Sequence, residues 1–351
     1  MFKYIIHCHQ AKLSMVMNMK ISTNKNIRTD LAIELRENLC DDANTEIPGV
    51  EITVEEDEAL GVTVTWVEIT NETGAESMGK PIGNYITLES DAIKENSPEA
   101  HEEIVKILAR KLGHLHHLPK DATILIIGLG NRQVTPDALG PKVCEKLLVT
   151  RHLGEDVPQD LQGRLRAVCA LSPGVMGITG IETAEIVKGV VEKAKPDLVI
   201  AIDALAARRT SRINATIQIS DTGINPGAGL GNKRTPISKS SIGVPVIAVG
   251  VPTVVDAATL VNDTMDKMLG AMAEAAPEGE PFYNMLAGMQ EADRYGLITD
   301  ILAPYAGNMF VTPKEVDAVI GRLSKIIADM LNIALHPGIT REDVNRYIEP
   351  V

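Results

Sequence analysis

Residues 121–143 read DATILIIGLGNRQVTPDALGPKV, and the fold class follows from this stretch. It opens with a short apolar run at 123–128, passes through a loop that contains glycine and asparagine, and continues into a helical pattern at 140–149. An unbroken apolar run of this length is typical of a strand in a parallel sheet that is covered on both faces. The stretch therefore predicts a strand, a loop and a helix of an α/β fold.

Similar patterns recur along the rest of the chain. Further apolar runs predict strands at 166–171 (RAVCAL), 197–202 (DLVIAI), 217–221 (IQISD) and 245–250 (PVIAVG). Helical patterns lie at 99–112, 181–195, 256–272 and 313–335. This alternation predicts an open, mostly parallel sheet with helices on both faces.

The N-terminal third differs from the rest in its charge. Residues 1–29 carry five basic residues and no acidic one, whereas residues 30–103 carry twenty Asp and Glu against only Arg36, Lys80 and Lys94. Charge attraction can fold the first segment onto the second, whereas the charge pattern alone favours a solvated acidic face and a loose tail.

The acidic segment also carries a strand pattern. Residues 50–70 and 83–89 alternate β-branched and polar residues, which predicts an antiparallel β extension or subdomain. We expect an N-terminal arm at 1–30 and a single α/β domain at 31–351, with an acidic β-rich insertion at about 46–90.

Composition excludes several classes of protein. The apolar runs are shorter than the roughly 18 residues that a membrane span needs, and only 3% of residues are aromatic, which leaves little to stack against bases. We therefore expect no membrane span and no direct nucleic-acid contact. The cysteines lie far apart and form no CxxC, which suits reduced thiols in a cytoplasm. They are Cys8, Cys40, Cys144 and Cys169.

Asp137 and Asp203 are the candidate catalytic residues. Asp137 lies in the loop after the 123–128 run, and Asp203 directly follows the run that ends at residue 202. In open α/β sheets, chemistry gathers at the carboxyl ends of the strands. Two carboxylates within hydrogen-bond reach cannot both ionise cheaply, so such a pair supplies an acid and a base. The structural alternatives are a helix N-cap for Asp137 and burial of Asp203 against a partner such as Arg208.

Three other kinds of site fit less well. The GLGN motif resembles a dinucleotide-binding loop, but Gln133 occupies the position of the third glycine. The chain has no GxSxG motif, and Ser172 lacks the flanking glycine of a nucleophile elbow. His114, His116 and His117 follow a predicted helix without the HExxH pattern of a zinc site. We therefore predict neither a cofactor nor a metal.

Several long blocks resemble the germination protease family of spore-forming bacteria. They are residues 128–143 (GLGNRQVTPDALGPKV), 172–183 (SPGVMGITGIET), 197–209 (DLVIAIDALAARR), 223–234 (GINPGAGLGNKR), 249–260 (VGVPTVVDAATL) and 309–317 (MFVTPKEVD). The resemblance implies an atypical aspartic-type endopeptidase that degrades small acid-soluble DNA-binding spore proteins during germination. It also implies a homotetramer in the cytoplasm of the spore core, with a fold similar to that of hydrogenase maturation proteases. The family's two essential aspartates match Asp137 and Asp203.

The resemblance further implies a zymogen that removes its own N-terminal peptide. The matching stretch is residues 27–34 (IRTDLAIE), with the cut between Asp30 and Leu31. An acidic residue followed by an aliphatic residue and Ala is similar to the sites that the family cuts in its substrates. The propeptide is therefore expected to act as a tethered substrate, which needs little intrinsic affinity because its local concentration is high.

Two functional alternatives stay open from the sequence. One is a metal-dependent peptidase of the hydrogenase maturation type, in which carboxylates and a histidine hold the ion. The other is an inert binding module whose acidic face captures basic partners. The roles of the two aspartates are also open. Backbone amides at 128–131 or 223–231 are the expected donors to a reaction oxyanion.

Overall fold

The computed structural model describes residues 29–39, 46–154, 157, 161–227, 234–275, 297–298, 300–302, 309–336, 338–340 and 343–344. The strands are β1 (Val50–Asp57), β2 (Val62–Ile69), β3 (Gly83–Glu89), β4 (Thr123–Gly128), β5 (Ala167–Leu171), β6 (Leu198–Ala207), β7 (Thr216–Ser220), β8 (Val246–Asp256) and β9 (Phe310–Val311). The helices are α1 (Ala32–Leu39), α2 (Glu72–Met78), α3 (Pro98–Leu115), α4 (Leu139–Cys144), α5 (Met176–Thr179), α6 (Thr183–Ala194), α7 (Lys239–Ile242), α8 (Ala257–Ala275) and α9 (Val316–Leu335). Within these ranges, none of the helices has the length and apolar character that crossing a membrane requires. The predicted docking of residues 1–29 on the acidic segment falls almost wholly outside the described residues.

The sheet has a parallel half and an antiparallel half. Its strand order is β1-β2-β3-β7-β8-β6-β4-β5, and β9 pairs with β8. The neighbours β8, β6, β4 and β5 run parallel, whereas β7 is antiparallel to both β8 and β3. The predicted α/β class and the antiparallel β extension are both confirmed, and the extension continues the same sheet.

Helices cover both faces of the sheet, as the apolar run in β4 predicts. Ile124 and Ile126 pack into the core that α3 and α9 cover, while Leu125 and Ile127 pack into the core beneath α6. These four side chains are at most 1% exposed. Burying each contributes about 1.5–3 kcal/mol. The run is continuous because alternate residues of the strand serve opposite cores.

The strands β6 and β8 extend several residues beyond their predicted ends. Their ladder continues past a register shift between Leu205 and Ala206. Leu205, which lies past the predicted end of β6 at residue 202, belongs to a separate apolar cluster that contains Leu31. The added length is therefore supported by a segment that is distant in sequence.

Helix α4 is shorter than predicted because a side chain of α9 forms hydrogen bonds with the chain that follows α4. The Asn332 side chain accepts a hydrogen bond from the Leu148 amide at 2.9 Å and donates one to the Lys146 carbonyl at 3.1 Å. Polar backbone groups near a helix end need such partners. The helix thus ends at Cys144.

Candidate active site

Asp137 lies in the loop between β4 and α4, within the short 3-10 turn Thr135–Asp137. Its Oδ2 accepts a hydrogen bond from the backbone amide of Asn131 at 2.7 Å. The N-cap alternative is wrong, because Ala138 occupies the N-cap of α4. Burial raises the pKa of Asp137, and the Asn131 hydrogen bond lowers it by a smaller amount. The carboxylate is thus held against its own loop.

The glycines of the GLGN motif allow that loop to close. Gly130 has a φ of +106°, and a Cβ built on it would lie 2.0 Å from the Asp137 carbonyl oxygen. A Cβ on Gly128 would lie 2.3 Å from the Gly140 carbonyl oxygen. Side chains at these positions would collide with backbone, so the motif serves close packing around Asp137.

Asp203 lies inside β6, which corrects the expectation that it ends a strand. The last residue of β4, Gly128, pairs with Ile202, so Asp203 is the first residue of β6 beyond the end of β4. It therefore still lies at the carboxyl end of β4. This is the point at which the strand order of the sheet reverses. Its side chain is 6% exposed, and its Oδ1 accepts a hydrogen bond from the Ala204 amide at 2.9 Å.

Acidic neighbours surround the Asp203 carboxyl group. Burial raises the pKa of Asp203 most, and the carboxylates of Asp137 and Asp30 raise it further, so that it lies well above its usual range. The structure thus brings the two predicted aspartates close enough to interact electrostatically. Of the two carboxyl groups, Asp203 therefore holds a proton more readily than Asp137.

The predicted cleavage site enters the same region. A cavity of about 90 Å³ is lined by both Asp203 and Asp30. The Asp30 amide donates to the Ala206 carbonyl at 3.0 Å, and the Ala206 amide donates to Asp30 Oδ2 at 2.9 Å. These bonds form at the register shift of β6, an irregularity of the kind that often accompanies active sites.

Lys80 and Gln218 hold the peptide bond between Asp30 and Leu31. Lys80 Nζ donates to the Asp30 carbonyl oxygen at 2.9 Å, and Gln218 Nε2 donates to the same oxygen at 3.4 Å. Gln218 Oε1 accepts from the Ala32 amide at 2.8 Å. Both side chains also line the cavity.

Sequence reasoning missed both of these residues, although each leaves a weak signal. Lys80 is one of three basic residues in the strongly acidic segment 30–103, and Gln218 interrupts an apolar strand.

Two of the backbone amides expected as oxyanion donors, those of Leu129 and Asn131, are engaged elsewhere. The Leu129 amide donates to the Ile202 carbonyl at 2.8 Å, and the Asn131 amide donates to Asp137. Of the loop at 223–231, the described residues end at 227.

The residues that follow the predicted cut are deeply buried. Leu31 is 0% exposed, and Glu34 is 1% exposed. The carboxylate of Glu34 accepts from the amides of Arg208 at 2.7 Å and Arg209 at 2.9 Å. Arg208, named in the structural alternative as a partner for Asp203, thus binds Glu34 through its backbone. The chain on both sides of the Asp30–Leu31 bond is therefore held by specific contacts.

The three histidines considered for zinc lie elsewhere. His114 is in the last turn of α3, and His116 and His117 border a separate cavity with Leu198, where β6 begins. The structure does not bring them to the aspartates, which lie at the opposite end of the parallel strands. Within the described ranges, no three His, Cys, Asp or Glu side chains are grouped so that they could hold a metal ion.

Comparison with known proteins finds one family along almost the whole chain. The family model described as germination protease matches residues 28–289 and 276–348. The chain is 50% identical over 322 residues to a germination protease of Clostridium tetani, covering 92% of this chain and 99% of that protein. It is 51% identical over 326 residues to one of Clostridium perfringens, with coverage of 92% and 99%. It is 44% identical over 357 residues to one of Bacillus subtilis, with coverage of 92% and 96%.

Proposed function

The chain belongs to the germination protease family, and from this premise we propose that it is a self-processing endopeptidase that degrades small acid-soluble DNA-binding proteins of the spore. Membership of this family supports the activity of a peptidase that acts in spore germination. The resemblance of the sequence blocks supports the substrate class, a homotetramer and a location in the spore core. The proposal also includes a two-aspartate mechanism and a zymogen that is cut between Asp30 and Leu31.

The position of the Asp30–Leu31 bond carries the proposal. Asp30 lines one cavity with Asp203, and its backbone pairs with β6. A tethered segment in this position acts as a substrate at high local concentration. Because Asp30 borders the cavity beside Asp203, a separate substrate must displace Asp30 before that substrate can be cut. This supports an inactive precursor whose own Asp30–Leu31 bond lies at the site.

The electrostatics support a division of roles between the aspartates. Ionised Asp137 takes a proton from water as the water oxygen attacks the Asp30 carbonyl carbon. Protonated Asp203 gives its proton to the Leu31 nitrogen as the carbon–nitrogen bond breaks. The raised pKa of Asp203, caused by burial and by the neighbouring carboxylates of Asp137 and Asp30, keeps that proton available. The two carboxyl groups titrate as a coupled pair.

Replacing either aspartate by asparagine tests this mechanism. We expect Asp137→Asn and Asp203→Asn each to lower self-processing and substrate cleavage by at least about 100-fold, the usual contribution of a general acid or base. N-terminal sequencing and intact mass after mild acid treatment measure self-processing. Gel analysis of a purified small acid-soluble spore protein measures cleavage of a separate substrate.

Asp197→Asn is the matched control. Asp197 accepts a hydrogen bond from the Thr123 amide at 2.8 Å, at the opposite end of the parallel strands. We expect this variant to keep wild-type activity. Normal turnover by either active-site variant would contradict the mechanism, and a self-processed wild-type protein that binds the substrate but leaves it at full length would contradict the proposed function.

A further inference from the structure

We propose that Lys80, assisted by Gln218, binds the oxygen of the scissile carbonyl and stabilises the oxyanion that forms there. This inference rests on the proposed function, and in particular on cleavage between Asp30 and Leu31. It assigns to two side chains a role that the sequence suggested for backbone amides.

The contacts at the Asp30 carbonyl have the geometry of an oxyanion site. The 2.9 Å bond from Lys80 Nζ is an ordinary hydrogen-bond length from a cationic donor. The 3.4 Å contact from Gln218 Nε2 is longer than usual, so this donor has room to tighten as charge develops on the oxygen. One cation and one amide thus point at the atom that becomes negative.

The orientation of the Gln218 amide follows from its two partners. Its oxygen must face the Ala32 amide, 2.8 Å away, because a backbone N–H can only donate. Its NH₂ group must then face the Asp30 carbonyl oxygen. A single side chain therefore contacts both the scissile peptide unit and the peptide unit that follows it.

Lys80 is positioned by the end of a helix. Gly79 caps α2 in the left-handed conformation with a φ of 61°, and its amide donates to the Ala75 carbonyl. The Lys80 amide donates to the same carbonyl at 3.3 Å. The helix itself is anchored at its start by the Asn71 side chain. Catalytic groups on such rigid supports lose little freedom when they bind.

The charges around Lys80 suit a cation that works among acids. Burial lowers the pKa of the Lys80 ammonium, and the Asp30 carboxylate raises it. Asp203 lines the same cavity. An ammonium group at the carbonyl oxygen offsets the charge that builds up beside these carboxylates.

The reaction balances with Lys80 keeping its proton. The water oxygen bonds to the Asp30 carbonyl carbon, the carbonyl electron pair moves to the oxygen, and the water proton goes to Asp137. The oxyanion is held by Lys80 and Gln218. The carbonyl then re-forms, and the carbon–nitrogen bond pair leaves with the Leu31 nitrogen, which takes the proton from Asp203. Because the Lys80 ammonium offsets the negative charge on the Asp30 carbonyl oxygen, that oxygen does not need the Asp203 proton. The proton therefore goes to the Leu31 nitrogen.

Lys80→Met in the full-length chain tests this role. The substitution keeps the length of the side chain and removes the charge and the donors. We expect the first-order rate constant of self-processing, which is kcat for the tethered substrate, to fall by about 100-fold to 1,000-fold, the usual cost of losing an oxyanion donor. Lys106→Met, at an exposed lysine of α3, is the control and should retain wild-type kcat.

Gln218→Glu separates the two functions of that side chain. The variant keeps an oxygen for the Ala32 amide and loses the amide donor to the Asp30 carbonyl. We expect kcat to fall by at least about 10-fold. An unchanged kcat would remove Gln218 from the oxyanion site.

Two further measurements distinguish catalysis from support of the fold. Lys80→Ala should regain part of its activity when ethylammonium is added, because the free cation can occupy the vacated position. Chains that begin at Leu31 leave this position free of Asp30. For such chains, a peptide aldehyde ending in Asp, which binds as its tetrahedral hydrate, should lose at least about 10-fold more affinity for Lys80→Met than an uncleaved peptide amide does. Equal losses for both peptides would reduce Lys80 to a structural residue and overturn the proposal.

Assaying several variants together distinguishes a failure of this inference from a failure of the proposed function. If Lys80→Met retains wild-type kcat while Asp203→Asn is inactive, the oxyanion proposal fails and the proposed function stands. If wild-type protein does not cut the substrate, the proposed function itself fails. Should Lys80→Met not fold, as judged by circular dichroism, Lys80→Arg keeps a cation at the site and should retain part of the wild-type kcat. Complete loss in a folded Lys80→Arg, without rescue of Lys80→Ala, would contradict the role.

Discussion

At the scale of single residues, the protonation of Asp203 affects the stability of the fold. Its pKa is raised by burial and by the acidic neighbours Asp137 and Asp30, so the folded state holds the proton more tightly than the unfolded state does. The stability from this group is fully present below the unfolded pKa of about 3.9 and is lost as the pH rises toward the folded pKa. At neutral pH the aspartate therefore costs stability.

Asp203→Asn should consequently stabilise the fold at pH 7. We expect its free energy of unfolding to rise by about 1–3 kcal/mol, the usual cost of a poorly solvated buried polar group, and to rise less at pH 4. Urea denaturation at the two pH values measures this difference, and intact mass confirms that neither protein has been cut. A gain that is equal at both pH values would contradict the assigned shift.

Gly130 provides a second prediction at this scale. Alanine there must adopt a φ of +106° and place its Cβ against the Asp137 carbonyl. We expect Gly130→Ala to displace the Asp137 loop and to abolish self-processing. Gly180 is the matched control, because it also has a positive φ, +71°, but nothing lies within 4 Å of an added Cβ.

The control separates backbone strain from collision. Gly180→Ala should cost only about 1 kcal/mol of stability and leave processing intact. Equal activity of the two variants would show that the loop tolerates a side chain beside Asp137.

At the scale of elements, a buried arginine holds α1 against the sheet. Arg212 binds both carboxylate oxygens of Glu37 on α1, at 2.7 and 2.8 Å, and Glu89 at the end of β3, at 2.6 Å. Its side chain is 7% exposed. Burial alone would raise the pKa of Glu37, but the bonds to Arg212 lower it. This ion pair fixes the segment that follows the predicted cut.

Arg212→Met should release α1. We expect the free energy of unfolding to fall by about 3–5 kcal/mol, because the variant leaves buried carboxylates without their cation. Self-processing should slow as well, since the Asp30–Leu31 bond loses its support. Urea denaturation and intact mass measure the two effects.

Arg212→Lys is the conservative comparison. It keeps the charge but not the two-point contact with Glu37, so its losses should be smaller than those of Arg212→Met. If Arg212→Met processes normally, α1 does not need this clamp.

At the scale of the whole molecule, the proposed cleavage site borders a cavity of its own chain. Self-processing should therefore be intramolecular, with a half-time that stays constant over about a 100-fold range of protein concentration. Intact mass at timed intervals after mild acid treatment measures this rate. A half-time that shortens with concentration would indicate cleavage between molecules.

A mixing experiment provides the control. Full-length Asp203→Asn with a mass tag, incubated with wild-type protein, should keep its N-terminal peptide, because its Asp30 is bound to Lys80 and Ala206 of its own chain. Rapid trimming of the tagged chain would contradict an intramolecular cut.

The amino-acid sequence by itself determined the fold class and pointed to the two aspartates. Continuous apolar runs such as 123–128 report burial on both faces of a strand, and that burial is a property of consecutive residues. The same local patterns locate strand ends, where Asp137 and Asp203 stand out as acids beside apolar runs. Only the tertiary structure showed that β6 continues past Asp203. It also showed that α4 ends early, where the Asn332 side chain binds the chain that follows the helix.

Lys80 and Gln218 also came only from the tertiary structure. They contact Asp30 across separations of 50 and 188 residues. Hydrophobic periodicity, capping and turn signals involve neighbours within a few positions, so these signals do not report contacts at such distances. They arise when β7, α2 and the segment before α1 converge on one cavity, and that convergence is set by the packing of the whole sheet.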